Sequence, residues 1–226
     1  MRKILIVIFI LSCFTGFSQQ KKQNPPFTIR GNIGIPKIVS SKKFKTGFSA
    51  VVQGNISANL RLFDSFYAGL GYDYCSFTNN KKEWAAQITT PQGSVYHKTY
   101  LTGHAGFLKV GYDYFFSDIG YVSCSINSGY MKLNYTSIFP DSSDSNQPFV
   151  STEFSAPYVQ PEIAIHFLAE KAVSFSVFLG YTTLVYTFDP KAPRFNHIEV
   201  VKDARNNYYM SWINIGFGFN ILINSK

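Results

Sequence analysis

The sequence predicts an all-β fold, an eight-stranded antiparallel up-and-down transmembrane β-barrel. Three observations predict it. Very short turns, centred on Phe63-Asp64-Ser65, Ser117-Asp118-Ile119 and Ala169-Glu170-Lys171, alternate with long polar connections at 36–46, 78–98, 136–156 and 187–206. The segments between them alternate apolar and polar residues. Several segments also exceed the nine to eleven residues that a tilted membrane strand needs. Tight turns at one end and long loops at the other are the asymmetry of small membrane barrels, and an even strand count returns both termini to the periplasmic side.

The chain opens with a basic start, Met1-Arg2-Lys3, an apolar run from Ile4 to Leu11, and small residues up to Ser18. That is the layout of a secretory signal, and the run is too short for a membrane-spanning helix. Residues 1–18 read as a signal peptide cleaved near Ser18-Gln19, 19–26 as a periplasmic tail and 27–226 as the barrel. Lipidation at Cys13 is the competing reading, and Leu11 and the bulky Phe14 weigh against it. Without Arg2 and Lys3, the formal charge of +8 falls to about +6. Lysines 21, 22, 37, 42, 43 and 45 supply much of the excess. They lie on no nucleic-acid-binding motif, so no nucleic acid is expected. They would meet solvent or the anionic headgroups of outer-membrane lipid and lipopolysaccharide.

Side chains alternate across a strand. In the first strand Phe27, Ile29, Ile33 and Ile35 oppose Thr28, Arg30 and Asn32. In the second, Phe48, Ala50, Val52, Ile56, Ala58, Leu60 and Leu62 oppose Ser49, Gln53, Asn55, Ser57, Asn59 and Arg61. Pairing Leu62 with Phe66 around the first turn keeps Ala68, Leu70, Tyr72 and Tyr74 of the third strand outward. In the fourth, Leu108, Val110, Tyr112 and Tyr114 face out, but Leu101, Ala105 and Phe107 take the other parity, and a bulge near Gly106 would reconcile them. In the sixth, Pro157 and Pro161 lack ladder donors, so pairing is expected only after Pro161, with Ile163, Ile165 and Phe167 outward. Pairing Leu168 with Ala172 then places Val173, Phe175, Val177, Leu179, Tyr181 and Val185 of the seventh strand outward. The eighth sets Tyr209, Ile213, Ile215, Phe217, Phe219, Ile221 and Ile223 against Asn214, Gly216, Gly218 and Asn220. Aromatics, 17% of the chain, gather near strand ends, where a membrane interface favours amphipathic rings. On the same parity Cys75 points inward and Cys124 outward, which predicts two free thiols.

The signal segment, the Gly-aromatic strand Tyr67-Ala-Gly-Leu-Gly-Tyr-Asp-Tyr74 and the closing Ile213-Asn-Ile-Gly-Phe-Gly-Phe219 together resemble small outer-membrane β-barrels of Gram-negative bacteria, of the OmpA/OmpX and PorT-like kind. The resemblance spans nearly all the mature chain and implies architecture and an outer-membrane location rather than a chemistry. Its PorT-like side implies an accessory role in secretion or envelope assembly, with a protein partner there.

No nucleophile elbow, phosphate loop or zinc-binding helix is present. His97, His104, His166 and His197 are scattered without metal-ligand spacing, and the acidic third loop, from Ser137 to Pro157, lacks the features of a calcium loop. Catalysis, cofactor and metal are therefore not expected. The polar lumen carries Arg30, Arg61, Lys109, Asp113, Glu162 and His166, all towards the periplasmic half. An eight-stranded barrel is just wide enough for its side chains to fill, so these charges should pair into a plug. A narrow pore lined by them is the alternative, and a soluble periplasmic barrel holding an apolar ligand is another. The expected role is structural or surface interaction through the outer loops, with the fourth, Asp189 to Arg205, as the preferred contact surface.

Overall fold

The computed structural model describes residues 25–40, 42–79, 87–90, 93–96, 98–117, 119–138, 150–169, 172–188 and 209–223. The expected signal peptide, Cys13, His97, His197 and most of the fourth loop lie outside them. The strands are β1 (Phe27–Ile38), β2 (Phe48–Phe63), β3 (Phe66–Asn79), β4 (Gln87–Thr90), β5 (Gly93–Tyr96), β6 (Lys98–Ser117), β7 (Gly120–Ile138), β8 (Val150–Leu168), β9 (Val173–Leu184) and β10 (Met210–Ile223). One short helix, α1 (Lys42–Gly47), follows β1. Eight strands close a barrel in the order β1-β10-β9-β8-β7-β6-β3-β2, while β4 and β5 form a separate hairpin in the second long loop. Every pairing in the wall is antiparallel.

The wall follows from alternation. Leu60, Leu62, Leu70, Leu108, Val110, Ile163, Ile165, Phe175, Val177, Ile215 and Phe217 all point outward and are exposed, Phe217 at 71%. An apolar band that encircles a molecule far exceeds what soluble monomers leave open to water. β-branched and aromatic residues suit this surface. Closure leaves no free edge across the band, as a strand-built membrane crossing requires.

The register at the first turn is as predicted: Leu60 faces Ala68 and Arg61 faces Tyr67. The turn itself is tighter, because Phe63 pairs with Phe66 and the extra residue is absorbed at Leu62. Asp64 takes a positive φ of 41°, a conformation its short polar side chain tolerates. At the third turn Leu168 pairs with Ser174 rather than Ala172. The shift is even, so every face stays as predicted.

Three expectations are corrected. No bulge lies at Gly106, because β6 pairs without interruption from Thr99 to Phe115 against β7. Leu101, Ala105 and Phe107 simply point into the barrel and are buried there. The bulge is in β2, where Val51 is passed over between the Ala50–Phe77 and Val52–Ser76 pairs. It turns Phe48, expected outside, into the interior at 2% exposure. Finally, β8 starts at Val150 and runs straight through both prolines, paired to β7 throughout. The Pro157 carbonyl accepts from Val185 N–H on the β9 side. Backbone N–H and C=O of one residue face the same neighbour in an antiparallel ladder, so the missing N–H of Pro157 also faced β9. Pro161, four residues on, faces the same way, where no β9 partner is paired. Neither proline costs a bond to β7.

The wall is uneven in height. β6, β7 and β8 have 20, 19 and 19 residues, whereas β1 and β9 have 12. On the tall side the outward residues above the apolar band turn polar, with Lys132 and Glu153 joined at 2.7 Å.

Candidate functional site

The lumen is filled in two layers of opposite character. In the half nearest the short turns, strand parity sends Arg30, Arg61, Lys109, Asp113, Glu162 and His166 inward. Arg30 donates from Nη2 to Asp113 Oδ2 at 2.7 Å and from Nη1 to Tyr67 Oη and Ser123 Oγ at 2.8 Å each. Its guanidinium also lies 4.2 Å from the centre of the Tyr67 ring, a cation–π arrangement. Arg61 reaches the same Asp113 oxygen at 3.4 Å. It also donates to the Asp64 carbonyl at 2.6 Å and the Pro25 carbonyl at 3.2 Å, which ties the turn and the entering chain to the lumen floor. Lys109, 1% exposed, donates to Glu162 Oε1 at 2.9 Å while Asn32 donates to Oε2 at 3.2 Å. His166 joins none of these three ion pairs. It stacks on Tyr121 with centroids 4.2 Å apart and hydrogen-bonds Asn220 through Nδ1 at 2.6 Å.

Sequence reading missed the third carboxylate. Asp73 is fully buried and meets no cation; both its oxygens accept from Gln53 Nε2, at 3.0 and 2.9 Å. Gln53 is held in turn by Trp212, whose Nε1–H donates to Oε1 at 2.7 Å. The signal was available: Asp73 shares the inward parity of Tyr67 and Cys75. Counted together, the described lumen holds the basic Arg30, Arg61 and Lys109, ion-paired to Asp113 and Glu162, and the carboxyl group of Asp73, held by Gln53 instead.

Above Gln53 the filling becomes apolar. Leu101, Met131, Leu133, Leu184, Met210 and Trp212 are fully buried around the side chain of Phe44, which α1 inserts from the long-loop end. Phe44 packs against Phe77 at 5.4 Å, Phe48 and Phe188 at 5.6 Å, and Trp212 at 6.5 Å between ring centres. The sequence reading expected a polar lumen throughout, and that expectation is corrected here. The reason is the uneven wall. Where strands stand above the apolar band, the outside is polar, and the interior becomes the place to bury apolar surface.

The cysteines sit as predicted. Cys75 is buried beside Met131, with its sulfur 3.8 Å from the thioether; Cys124 is exposed on the outer face, and both are free. His104 lies outside, against Tyr72 and Tyr74.

No protein-family model matches the chain, and no curated protein matches it by sequence. Solved structures do. Neisserial surface protein A (NspA) superposes with a TM-score of 0.50 at 11% identity, covering 88% of this chain and 97% of its own. The fold is that of the small Gram-negative outer-membrane β-barrels. Two further barrels are similar to a lesser degree. Ail, the attachment invasion locus protein of Yersinia pestis, aligns over 88% of this chain and 99% of its own at 6% identity, with a TM-score of 0.46. The outer membrane protease OmpT from Escherichia coli aligns over 90% and 99% at 7% identity and 0.44. At such identities the likeness to outer-membrane barrels is one of architecture.

Proposed function

We propose that this chain is an integral outer-membrane protein with a sealed lumen, working through the surface it presents outside the cell and without catalysis. The observation that carries the reading is the filling of the barrel. The Lys109–Glu162 pair occupies the lumen below, and the Phe44 cluster closes it above. Arg30, Arg61 and Lys109 are each ion-paired below, and the apolar side chains pack on one another above, which supports a filled lumen rather than a path for solute. The contact surface is the tall β6–β7–β8 wall with the loops beside it, where polar side chains such as Lys132, Glu153 and Ser151 face outward. Anionic headgroups of outer-membrane lipid, lipopolysaccharide among them, are the partners that the lysines before and within α1 fit best.

The test combines membrane fractionation, gel migration with and without boiling, and conductance in planar bilayers. Outer-membrane material that shifts on boiling and gives no conductance steps supports the reading. Steady steps that change in size with Glu162→Gln would replace it with a narrow pore. Release as soluble protein would remove the membrane assignment altogether.

A further inference from the structure

At the loop end of the described barrel, one side carries cations that no carboxylate offsets. From Pro25 to Tyr72 the chain carries a single carboxylate, Asp64, and that residue lies at the opposite end, in the turn after β2. β10, the other neighbour of β1, carries none. Yet Lys37 near the top of β1 and Lys42 and Lys45 on α1 are exposed, and Lys43 is half-buried. None of the four has an ion-pair partner among the described residues. Lys132, across the barrel, does have one.

Lys37 stands on the outward face of β1 directly above Ile35 and Ile33, which are exposed at 71% and 62%. In the β1–β10 ladder these two face Ile215 and Phe217. The strip therefore reads apolar below and cationic above. It matches an amphiphile with acyl chains and a phosphate head, since lysine stems lie along apolar surface while the ammonium reaches the interface. A soluble anion would use the lysines alone.

The same helix closes the barrel. Lys43 and Lys45 flank Phe44 in sequence, and Phe44 points the other way into the ring of Phe48, Phe77, Phe188 and Trp212. We propose that Lys37, Lys42 and Lys45 form a binding site for a phosphate-bearing outer-leaflet lipid, and that its occupancy holds α1 and the Phe44 stopper in place. This rests on the outer-membrane reading above. With the phosphate bound, repulsion among the four ammonium groups is relieved and α1 stays seated. Without it, the repulsion favours lifting α1 and with it Phe44.

Cys75 supplies an internal reporter. It is fully buried, one inward position below Phe77 on β3. In a background with Cys13→Ser and Cys124→Ser, full-length protein is placed in phosphatidylcholine vesicles with or without lipid A, and Cys75 is labelled with a water-soluble maleimide. Lipid A is expected to slow labelling several-fold, and inorganic phosphate to leave it unchanged. Replacing Lys37, Lys42 and Lys45 by Gln removes the lipid A effect. At about fivefold per lysine near an anionic surface, the same triple change lowers lipid A retention on the order of a hundredfold. Phe44→Ala labels fast in either vesicle. Equal retention of lipid A by both proteins, or labelling indifferent to lipid A, overturns the site. An equal effect from inorganic phosphate overturns the lipid assignment, and slow labelling of Phe44→Ala overturns the stopper. Gel migration of the same samples separates these results from failure of the outer-membrane reading, which would abolish the heat-dependent shift.

Discussion

Trp212 on β10 donates its indole N–H to the side-chain carbonyl of Gln53 on β2 at 2.7 Å, inside the barrel and past the single strand β1 that separates them. Gln53 passes the contact on by donating both ways onto Asp73. This relay marks the boundary between the polar and apolar halves of the lumen. Its middle member satisfies a buried carboxylate and a buried donor at once.

Gln53→Leu should therefore destabilise the barrel by about 3 kcal/mol, since it strands a buried carboxyl group and a buried N–H together. Urea unfolding in detergent micelles, followed by Trp fluorescence, measures it. Asp73→Asn, which keeps a polar partner for Gln53, should cost clearly less. If both substitutions cost the same, Gln53 is not serving the carboxylate.

The Lys109–Glu162 pair makes a second prediction. Lys109→Met or Glu162→Leu alone leaves one charge buried without its partner and should cost about 3–5 kcal/mol. The double replacement should recover most of that loss, because a buried ion pair is often matched by apolar groups of similar volume. A thermodynamic cycle over the four proteins gives the coupling. Additive losses would mean that the two side chains are satisfied independently.

The β1–β10 seam, where the two ends of the chain close the barrel, is packed backbone to backbone. A methyl group added at Gly216 would run into the Ile33 carbonyl and the Gly34 α-carbon. Gly216→Ala should cost about 1–3 kcal/mol and lower the temperature at which the folded gel band is lost. Gly106 is the control, because a methyl there meets nothing within 4 Å. Gly106→Ala should leave the transition where it was.

Val177 tests the surroundings of the wall. It faces outward from β9 and is 45% exposed. In a bilayer, Val177→Arg should cost about 2–4 kcal/mol if the residue lies near mid-depth. In a barrel that stands in water the same change would be close to neutral. Equilibrium unfolding in vesicles distinguishes the two.

Most of the wall was readable in the sequence because period-two alternation is a one-bit signal repeated along each strand. Ile215, Phe217 and Phe219 against Asn214, Gly216 and Gly218 leave little choice of face. The lumen charges followed from the same parity, which is how Arg30 and Asp113 came to be placed on one side of the wall from residues 83 positions apart. Reading failed where a local rule depends on height above the membrane. Phe48, Leu101 and Phe107 were assigned as though every apolar side chain must face lipid, so a bulge was invoked at Gly106. The proline argument failed for a different reason. A missing N–H weakens a strand only on the side where it would have pointed, and sequence does not say which side is paired. Asp73 was overlooked because it has no opposite charge nearby to draw attention to it.

The stacking of an apolar core above a polar one means that a single barrel is held together by two solvents. Near the short turns, in the membrane setting proposed above, hydrocarbon outside rewards the outward Phe and Ile while the inside is wired by polar contacts. Near the long loops, water outside drives Phe44, Phe77 and Trp212 together, as in any soluble domain. The two halves should respond to temperature differently. Cooling weakens the water-driven half, whereas the ion pairs and backbone ladder of the lipid-embedded half carry no such penalty. Chilled protein would then loosen first at its outer mouth, with the embedded staves intact, and the molecule would be sensitive to cold at one end only.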